Sequence, residues 1–408
     1  MSFSIRPFLI QIPPPETAGR RGMRIILFTG KGGTGKTTCA AATAYRAAAR
    51  GLKTLVISTD PAHSLSDALD RQLGAEPVAV AENLFAQELD VYYSMRKYWG
   101  NLSKILSQAF RWQGMNPILA EELSALPGME EASAFLWIEK YYEEREYDLL
   151  VIDSAPTGET LTLLTLPQAT KWWVSRLFPL PKFAMKSFGS LVHATMGLPL
   201  DEGYEELDNL FTKLERIQKI FSNPDICSIR IVMNPEKMVI QEAKRVLTYL
   251  CLYGYPVDAV IVNRLLPDDH AGPFFRRYLE AQKCYLEDIL ESFAPMPVLK
   301  LGHLGEEVFG PDALQRIAAA IYGEGNPADV LYRGNPYRIE EEDRGYRMTI
   351  ELPFLDREEM KIDQFGDELV INIRNKRHNI FLPRFLAFCR LRRHTYDGRS
   401  LSVHFSRD

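Results

Sequence analysis

The sequence is poor in cysteine and has no apolar segment long enough to cross a bilayer. Its 408 residues include five cysteines, and no two of them form a CxxC pair. Scattered cysteines favour a reducing compartment over a disulfide framework, and they leave a structural zinc clip without obvious ligands. No uninterrupted apolar run approaches the roughly 18 residues that a membrane-spanning helix needs. We therefore expect a cytoplasmic protein that is not integral to a membrane and that binds no zinc.

The sequence also lacks a strong excess of charge of either sign. Lysine and arginine number 48, and aspartate and glutamate number 53, which gives a formal net charge of −5. Residues 331–408 hold 15 basic and 13 acidic residues, so the remainder of the chain is acidic on balance. Neither part has the basic footprint of a nucleic-acid-binding protein. Hydrophobic residues make up 46% of the chain, which is enough for a core and excludes disorder over its whole length. We expect no nucleic-acid partner.

Buried strands that alternate with helices predict an α/β fold. The runs RIILFT at 24–29, TLVIST at 54–59 and DLLVID at 148–153 are apolar and rich in β-branched residues, without strict polar alternation. Such runs are typical of strands that are covered on both faces of a parallel sheet. An alanine-rich helix is expected over 36–50. Further strands of the same kind are predicted at 228–233, 257–262 and 296–301.

Changes in composition divide the chain into parts. We interpret residues 1–22, which are short and broken by proline, as a disordered extension or a mis-annotated start. An α/β domain occupies 23–322, with a mostly helical insertion at about 90–222. The turn-rich stretch 323–336 is expected to be a linker. Residues 337–408, termed the tail below, form a second domain.

A glycine-rich stretch between the first strand and the first helix matches the phosphate-binding loop of NTPases. Glycines let backbone N–H groups close around a β-phosphate, and the helix amino terminus adds its positive end. We expect Lys36 to reach the β- and γ-phosphates and the Thr37 hydroxyl to bind Mg²⁺. The predicted ligands are thus a nucleoside triphosphate and Mg²⁺. The loop comprises Gly30, Lys31, Gly32, Gly33, Thr34, Gly35, Lys36, Thr37 and Thr38.

Two aspartates follow two of the predicted strands, where they face the same crevice. Asp60 is placed to orient or deprotonate the attacking water, and Asp153 to hold Mg²⁺ directly or through water. Lys31 is not needed for the ordinary phosphate cradle. In the deviant class of phosphate loops such a lysine reaches the nucleotide of a facing subunit and acts as an arginine finger does. The alternatives are turn or helix caps for the aspartates and a solvated side chain for Lys31.

These motifs resemble those of the arsenical pump ATPase-like family, which includes the ATPase for guided entry of tail-anchored proteins. GKGGTGKTT, STDPAHSLSD and DSAPTGETLTLL resemble its phosphate loop, switch I and switch II, and the likeness covers about residues 23–322. The resemblance implies a homodimer in which Asp60 is the hydrolytic aspartate of switch I. It also implies that Glu236 approaches nucleotide at the dimer interface and that Asn263 reads the adenine ring, which favours ATP over GTP.

Three departures limit what the resemblance implies. The eukaryotic targeting members share a zinc through a CxxC, where this sequence has only Cys284, so a zinc-clipped dimer is not expected. Glu159 and Thr162 replace a histidine and an arginine of switch II, so we expect a different coupling between nucleotide and client. The arsenite-binding cysteine constellation of the pump is not evident, which argues against an efflux subunit.

The tail resembles the α-crystallin domain of small heat-shock proteins. Its order of strand, LP, acidic turn, strand, basic loop and LP follows that family. Residues 346–352 and 368–373 alternate like half-buried antiparallel strands. The resemblance implies an all-β sandwich, and an ATPase with such a tail resembles the bacterial and photosynthetic-lineage branch of the targeting ATPases. We interpret the basic residues of the tail as solvated strand faces.

The helical insertion carries apolar side chains that the resemblance implies form a groove for a transmembrane helix of a client. Methionine and aromatic side chains adapt to varied apolar helices. The alternative is that these residues pack against the ATPase core. The groove residues are Trp99, Leu102, Leu106, Phe110, Trp172, Trp173, Met185 and Met196.

These observations favour one function and leave two others open. The favoured hypothesis is a homodimeric ATPase that acts as a targeting factor or chaperone and shields the transmembrane segments of clients, among them tail-anchored membrane proteins. An arsenite or metalloid efflux subunit would need a thiol site and a membrane partner. A small-heat-shock-like holdase with regulatory ATP binding would bind unfolded soluble proteins without the helical insertion.

Overall fold

A computed structural model describes most of the α/β domain and of the tail. The described residues are 22–60, 64–90, 93–98, 104, 116, 129–155, 200–267, 273–334, 337–343, 345–351, 360–366, 368–373, 376–382, 386 and 388–407. Helices and strands are numbered below in chain order within these ranges.

An eight-stranded sheet forms the centre of the α/β domain. Its strands are β1 (Arg24–Thr29), β2 (Thr54–Ser58), β3 (Val78–Ala81), β4 (Leu84–Glu88), β5 (Leu149–Asp153), β6 (Cys227–Met233), β7 (Val257–Leu265) and β8 (Val298–Gly302). The strand order is β3-β4-β2-β5-β1-β6-β7-β8, and every pair is parallel except β3 with β4. The predicted α/β fold with a parallel sheet is confirmed.

Helices cover both faces of this sheet. They are α1 (Lys36–Ala49), α2 (Ser64–Leu69), α3 (Met129–Glu144), α4 (Leu200–Phe221), α5 (Lys237–Leu252), α6 (Arg276–Phe293) and α7 (Gly310–Tyr322). On one face α1 and α7 share an apolar cluster with alternate sheet residues, and the alanines of α1 allow a close approach. On the other face α3 to α6 enclose a larger cluster around the buried Trp137. Among the described residues, no helix combines the length and the apolar character that crossing a bilayer requires.

The tail is an all-antiparallel β structure, as expected. Its strands are β9 (Tyr337–Glu342), β10 (Gly345–Glu351), β11 (Met360–Phe365), β12 (Glu368–Ile373), β13 (Lys376–Phe381), β14 (Arg390–Tyr396) and β15 (Ser400–Ser406). One sheet has the order β14-β15-β10-β9 and the other the order β11-β12-β13. A separate apolar core lies between them, and Tyr249 of α5 packs against both this core and that of the α/β domain.

Residues 323–334, which we term the connecting segment, are fastened to the α/β domain by a buried ion pair. Arg230 of β6 is fully buried and donates to Asp258 of β7 at 3.1 Å. Its remaining N–H groups reach the carbonyl oxygens of Pro327 at 2.9 Å and of Asp329 at 3.2 Å. The Leu331 amide donates to the Asp258 carboxylate at 3.2 Å. These hydrogen bonds therefore hold the chain between the two domains in place against β6 and β7.

Candidate active site

The phosphate loop closes on itself between β1 and α1. Both the amide and the hydroxyl of Thr34 donate to the carbonyl oxygen of Lys31, at 3.3 and 2.8 Å. Gly35 has φ +93°, in the left-handed region, and directly precedes the first residue of α1. The loop thus ends at a helix amino terminus, where the partial positive charge of the helix favours an anion.

Two glycines of the loop are required by close approaches. A Cβ atom on Gly30 would lie 2.1 Å from the carbonyl oxygen of Val232 in β6. A Cβ atom on Gly35 would lie 2.2 Å from Nδ2 of Asn263 at the end of β7. The first contact is with backbone and leaves no room for a Cβ atom, whereas the second would push the Asn263 amide away from Thr34, so the loop is packed tightly against β6 and β7. A tightly packed loop keeps its N–H groups in position, so they need little rearrangement to bind an oxyanion.

Asp153 ends β5 and is fully buried beside the phosphate loop. The carboxylate accepts hydrogen bonds from Thr37 and, at 3.3 Å, from Ser58. Removal from water raises the pKa of Asp153 to about 6, although those hydrogen bonds and the Lys36 ammonium oppose the effect. Because burial disfavours the ionised carboxylate more than these groups stabilise it, a further positive charge beside Asp153 would stabilise the ionised form.

The polar atoms around Asp153 fit a bound Mg²⁺. Within the described part of the chain, its second oxygen, Oδ1, has no hydrogen-bond partner, and neither has the Thr29 hydroxyl at the end of β1. A buried carboxylate oxygen without a partner is uncommon, and a hard cation with oxygen ligands satisfies it. Asp153 and Thr37 are therefore suited to hold Mg²⁺ next to a triphosphate.

Asp60 lies across the crevice from the loop, just beyond the end of β2. Its amide is 3.3 Å from the Ser58 hydroxyl, which also contacts Asp153, so the two aspartates are linked through one serine. The following helix α2 is fastened by Glu88, a buried carboxylate at the end of β4 that accepts from the amide and hydroxyl of Ser66 at 2.8 and 2.7 Å. Glu88 was not predicted as a site residue from the sequence.

A cavity of about 600 Å³ opens above the loop, within the range of pockets that hold small ligands. Gly32, Gly33, Gly35, Lys36, Thr37, Thr38 and Asp60 line it, so the structure brings most of the predicted phosphate residues together with the predicted catalytic aspartate. The rest of the wall was not predicted from the sequence, because no motif marks it. It consists of Ser64, Asp67, Ala68 and Asp70 around α2, of Arg264, and of Glu307, Val308 and Phe309 before α7.

Six predicted site residues do not line this cavity; Gly30, Thr34 and Asp153 have been described above, and the other three are Lys31, Glu236 and Asn263. Lys31 is half-buried at the tip of the loop and does not line the cavity. Glu236 is exposed at the amino-terminal end of α5, near Tyr278 of α6. Asn263 is buried, and its amide donates to the carbonyl oxygen of Thr34 at 2.8 Å. The proposed roles of Lys31 and Glu236 concern a facing subunit, and all three assignments stay predictions.

The predicted groove residues Trp99, Leu102, Leu106, Phe110, Trp172, Trp173, Met185 and Met196 all lie outside the described residues. The same holds for Glu159 and Thr162 of switch II.

Comparison with known families decides the class of this protein. The model of the anion-transporting ATPase family matches residues 23–323, which cover the whole site just described. The chain belongs to the anion-transporting ATPase family. It is therefore an ATPase, as predicted, and members of its family use a nucleotide and Mg²⁺. A second model, an HSP20-like domain found in proteins of this family, matches residues 343–405 and confirms the predicted resemblance of the tail.

The chain is similar to proteins named as arsenical pump-driving ATPases and to one named as an ASNA1 homolog. The putative arsenical pump-driving ATPase 1 of Aquifex aeolicus is 39% identical over 376 residues, which cover 89% of this ATPase and 95% of the relative. A putative arsenical pump-driving ATPase of Chlorobaculum tepidum is 39% identical over 366 residues, covering 88% and 90%. The ATPase ASNA1 homolog of Entamoeba dispar is 30% identical over 301 residues, covering 72% and 91%.

Proposed function

We propose that this ATPase is a cytoplasmic homodimer that hydrolyses ATP to shield hydrophobic transmembrane segments of client proteins. The observation that carries the ATPase part is the buried Asp153 beside Lys36 and Thr37, with one carboxylate oxygen unpaired under a nucleotide-sized cavity. In this proposal Lys36 binds the β- and γ-phosphates, and the loop amides hold the β-phosphate.

Hydrolysis requires a water molecule in line with the γ-phosphate. Asp60 lines the cavity, and in this proposal it orients that water and accepts its proton. When bound, Mg²⁺ neutralises phosphate oxygens and is held by Thr37 and Asp153. Lys31 of one subunit supplies positive charge to the γ-phosphate in the facing subunit, and Glu236 borders that interface.

Two variants test this assignment. Lys36→Ala should abolish tight ATP binding, whereas Asp60→Asn should keep binding and lower the rate of hydrolysis by at least two orders of magnitude. Lys53→Ala, which removes a half-exposed lysine at the start of β2, is the matched control and should retain activity. Unchanged hydrolysis by Lys36→Ala would refute the proposed site.

The client part of the proposal is supported by the resemblance and by the similarity to an ASNA1 homolog. It is tested by co-expression with a tagged tail-anchored transmembrane segment and, separately, with an unfolded soluble protein. Selective capture of the segment, reduced by Trp172→Ala and Trp173→Ala, is expected. Equal capture of both would favour a holdase.

The names of the pump-driving relatives favour a second candidate function, an arsenite or metalloid efflux subunit. Within the described residues, no group of three or more cysteine, histidine or acidic side chains could hold a metal ion. Arsenite or antimonite should stimulate hydrolysis if this candidate is correct. A flat response at saturating ATP would refute it.

A further inference from the structure

Three polar residues lie side by side at the carboxyl edge of the central sheet. In the strand register, Ser58 of β2 is paired with Glu88 of β4 on one side and with Asp153 of β5 on the other. All three are buried, with exposed fractions of 6% or less. Because side chains two residues apart on a strand point to the same face, the preceding row on that face consists of Ala86, Val56 and Val151. Apolar side chains would continue that row at less cost than buried polar groups, so the polar row indicates a function.

Each member of this row contacts a different part of the site. Glu88 accepts from the amide and the hydroxyl of Ser66 in α2, at 2.8 and 2.7 Å. Ser58 Oγ accepts from the amide of Asp60 at 3.3 Å. Asp153 carries the oxygen that fits Mg²⁺ and that has no hydrogen-bond partner among the described residues. The row therefore connects both ends of the segment from Asp60 to Ser66 with the carboxylate that is suited to the metal.

Ser58 is the member that contacts both aspartates. Its hydroxyl donates its one proton to Asp153 Oδ2 at 3.3 Å, and its lone pairs remain for the Asp60 amide. The backbone at this point is held as well. The Thr59 amide donates to the Asp153 carbonyl oxygen at 2.9 Å, and the Ala155 amide donates to the Thr59 hydroxyl at 3.3 Å. Asp60 therefore leaves β2 from a point that is fixed relative to the end of β5.

We infer that Ser58 is a positioning residue for hydrolysis, which sets the place of Asp60 relative to the carboxylate that fits Mg²⁺. Hydrolysis depends on such placement, because a displacement of about 1 Å can lower a rate about a hundredfold. The inference rests on the proposed role of Asp60 in orienting the attacking water. It assigns Ser58 to turnover, whereas Glu88 acts on ATP binding through α2, whose residues line the cavity.

The kinetics of Ser58→Ala, measured at saturating Mg²⁺, test this role. Loss of one hydrogen bond that holds Asp60 should lower kcat about tenfold. The affinity for a non-hydrolysable Mg·ATP analogue, measured by calorimetry, should stay within about threefold of the wild-type value, because the phosphate loop is untouched. Ser228→Ala is the matched control. It removes a buried hydroxyl near the start of β6, where Ser228 accepts from Arg24 at 2.7 Å, and should match the wild type in both measurements.

A double variant separates the positioning of Asp60 from a general effect on the site. If Ser58 acts through the Asp60 side chain, Ser58→Ala should cause no further loss in the residual single-turnover rate of Asp60→Ala. Residues that act as a unit show this non-additivity. A further loss of about tenfold in the double variant would contradict the inference.

Two results with the single variant would also overturn the inference. An unchanged kcat in Ser58→Ala would show that Asp60 keeps its place without the serine. A parallel loss of analogue binding would show that Ser58 supports the whole site instead of Asp60. Wild-type turnover by Asp60→Ala would refute the proposed hydrolytic role of Asp60 itself, so the failure of the inference and that of the proposed function are distinguishable.

Discussion

Replacement of Asp153 by asparagine should stabilise the ligand-free protein at neutral pH while it removes activity. Burial raises the pKa of Asp153 to about 6, from the ordinary value of 3.8. Between these two values the folded state holds a proton that the unfolded state has released, so stability falls as pH rises. Above about pH 6 the cost of the ionised carboxylate is constant at about 3 kcal/mol.

Calorimetric melting of the wild type and of Asp153→Asn, without nucleotide or Mg²⁺, measures this cost. The variant should gain about 3 kcal/mol relative to the wild type between pH 4 and pH 7, or about 6 °C in Tm at roughly 2 °C per kcal/mol. Asp148→Asn, an exposed site before the same strand, controls for the change of net charge. A difference that stays flat with pH would refute the reasoning.

Adding ligand should reverse the order of stability. Saturating Mg²⁺ and a non-hydrolysable ATP analogue stabilise whichever folded protein binds them. The wild type should gain several degrees in Tm, and Asp153→Asn should gain little because the carboxylate that fits Mg²⁺ is gone. An equal gain in both proteins would show that Asp153 does not hold the metal.

Three further predictions concern residues around the site. Arg230→Met leaves Asp258 buried without its partner and should cost about 3–5 kcal/mol, whereas the double variant with Asp258→Asn should melt closer to the wild type. Lys31→Ala should bind ATP normally but lose hydrolysis, and mixing it with Lys36→Ala subunits should restore part of the rate if Lys31 acts across the dimer. Glu88→Ala frees helix α2 and should raise the KM for ATP, as steady-state kinetics would show, while leaving the secondary structure intact by circular dichroism.

The central strands and the phosphate loop could be predicted from the sequence because each is formed by one continuous segment with a recognisable pattern of residues. Strand β1 has the predicted bounds, and the predicted helix over 36–50 ends one residue earlier. The short strand β3 was missed because its residues VAVA are mostly exposed and, within the described part of the chain, pair with β4 alone. The apolar pattern of a covered strand is therefore missing there.

The remainder of the site depends on contacts that no local pattern records. The cavity wall at Glu307–Phe309 lies more than 200 residues from the phosphate loop along the chain, and only the strand order brings the two together. The sequence marked 323–336 as a linker by its turn residues, yet Arg230 of β6 holds Pro327 and Asp329 in place. A single arginine inside a strand gives no sign of such a partner.

Hydrogen bonds join the start of the connecting segment to α1, the helix that follows the phosphate loop. Arg230 donates to the Tyr322 hydroxyl at 2.9 Å, and that hydroxyl lies 2.7 Å from the Thr43 hydroxyl of α1. The Thr43 hydroxyl donates its own proton to the Cys39 carbonyl oxygen. Tyr322 must therefore donate to Thr43, so the hydrogen bonds run in one direction from β6 to α1. Arg46 of α1 also donates to the Gly323 carbonyl oxygen, so α1 and the start of the connecting segment are joined at two places, which no pattern in consecutive residues records.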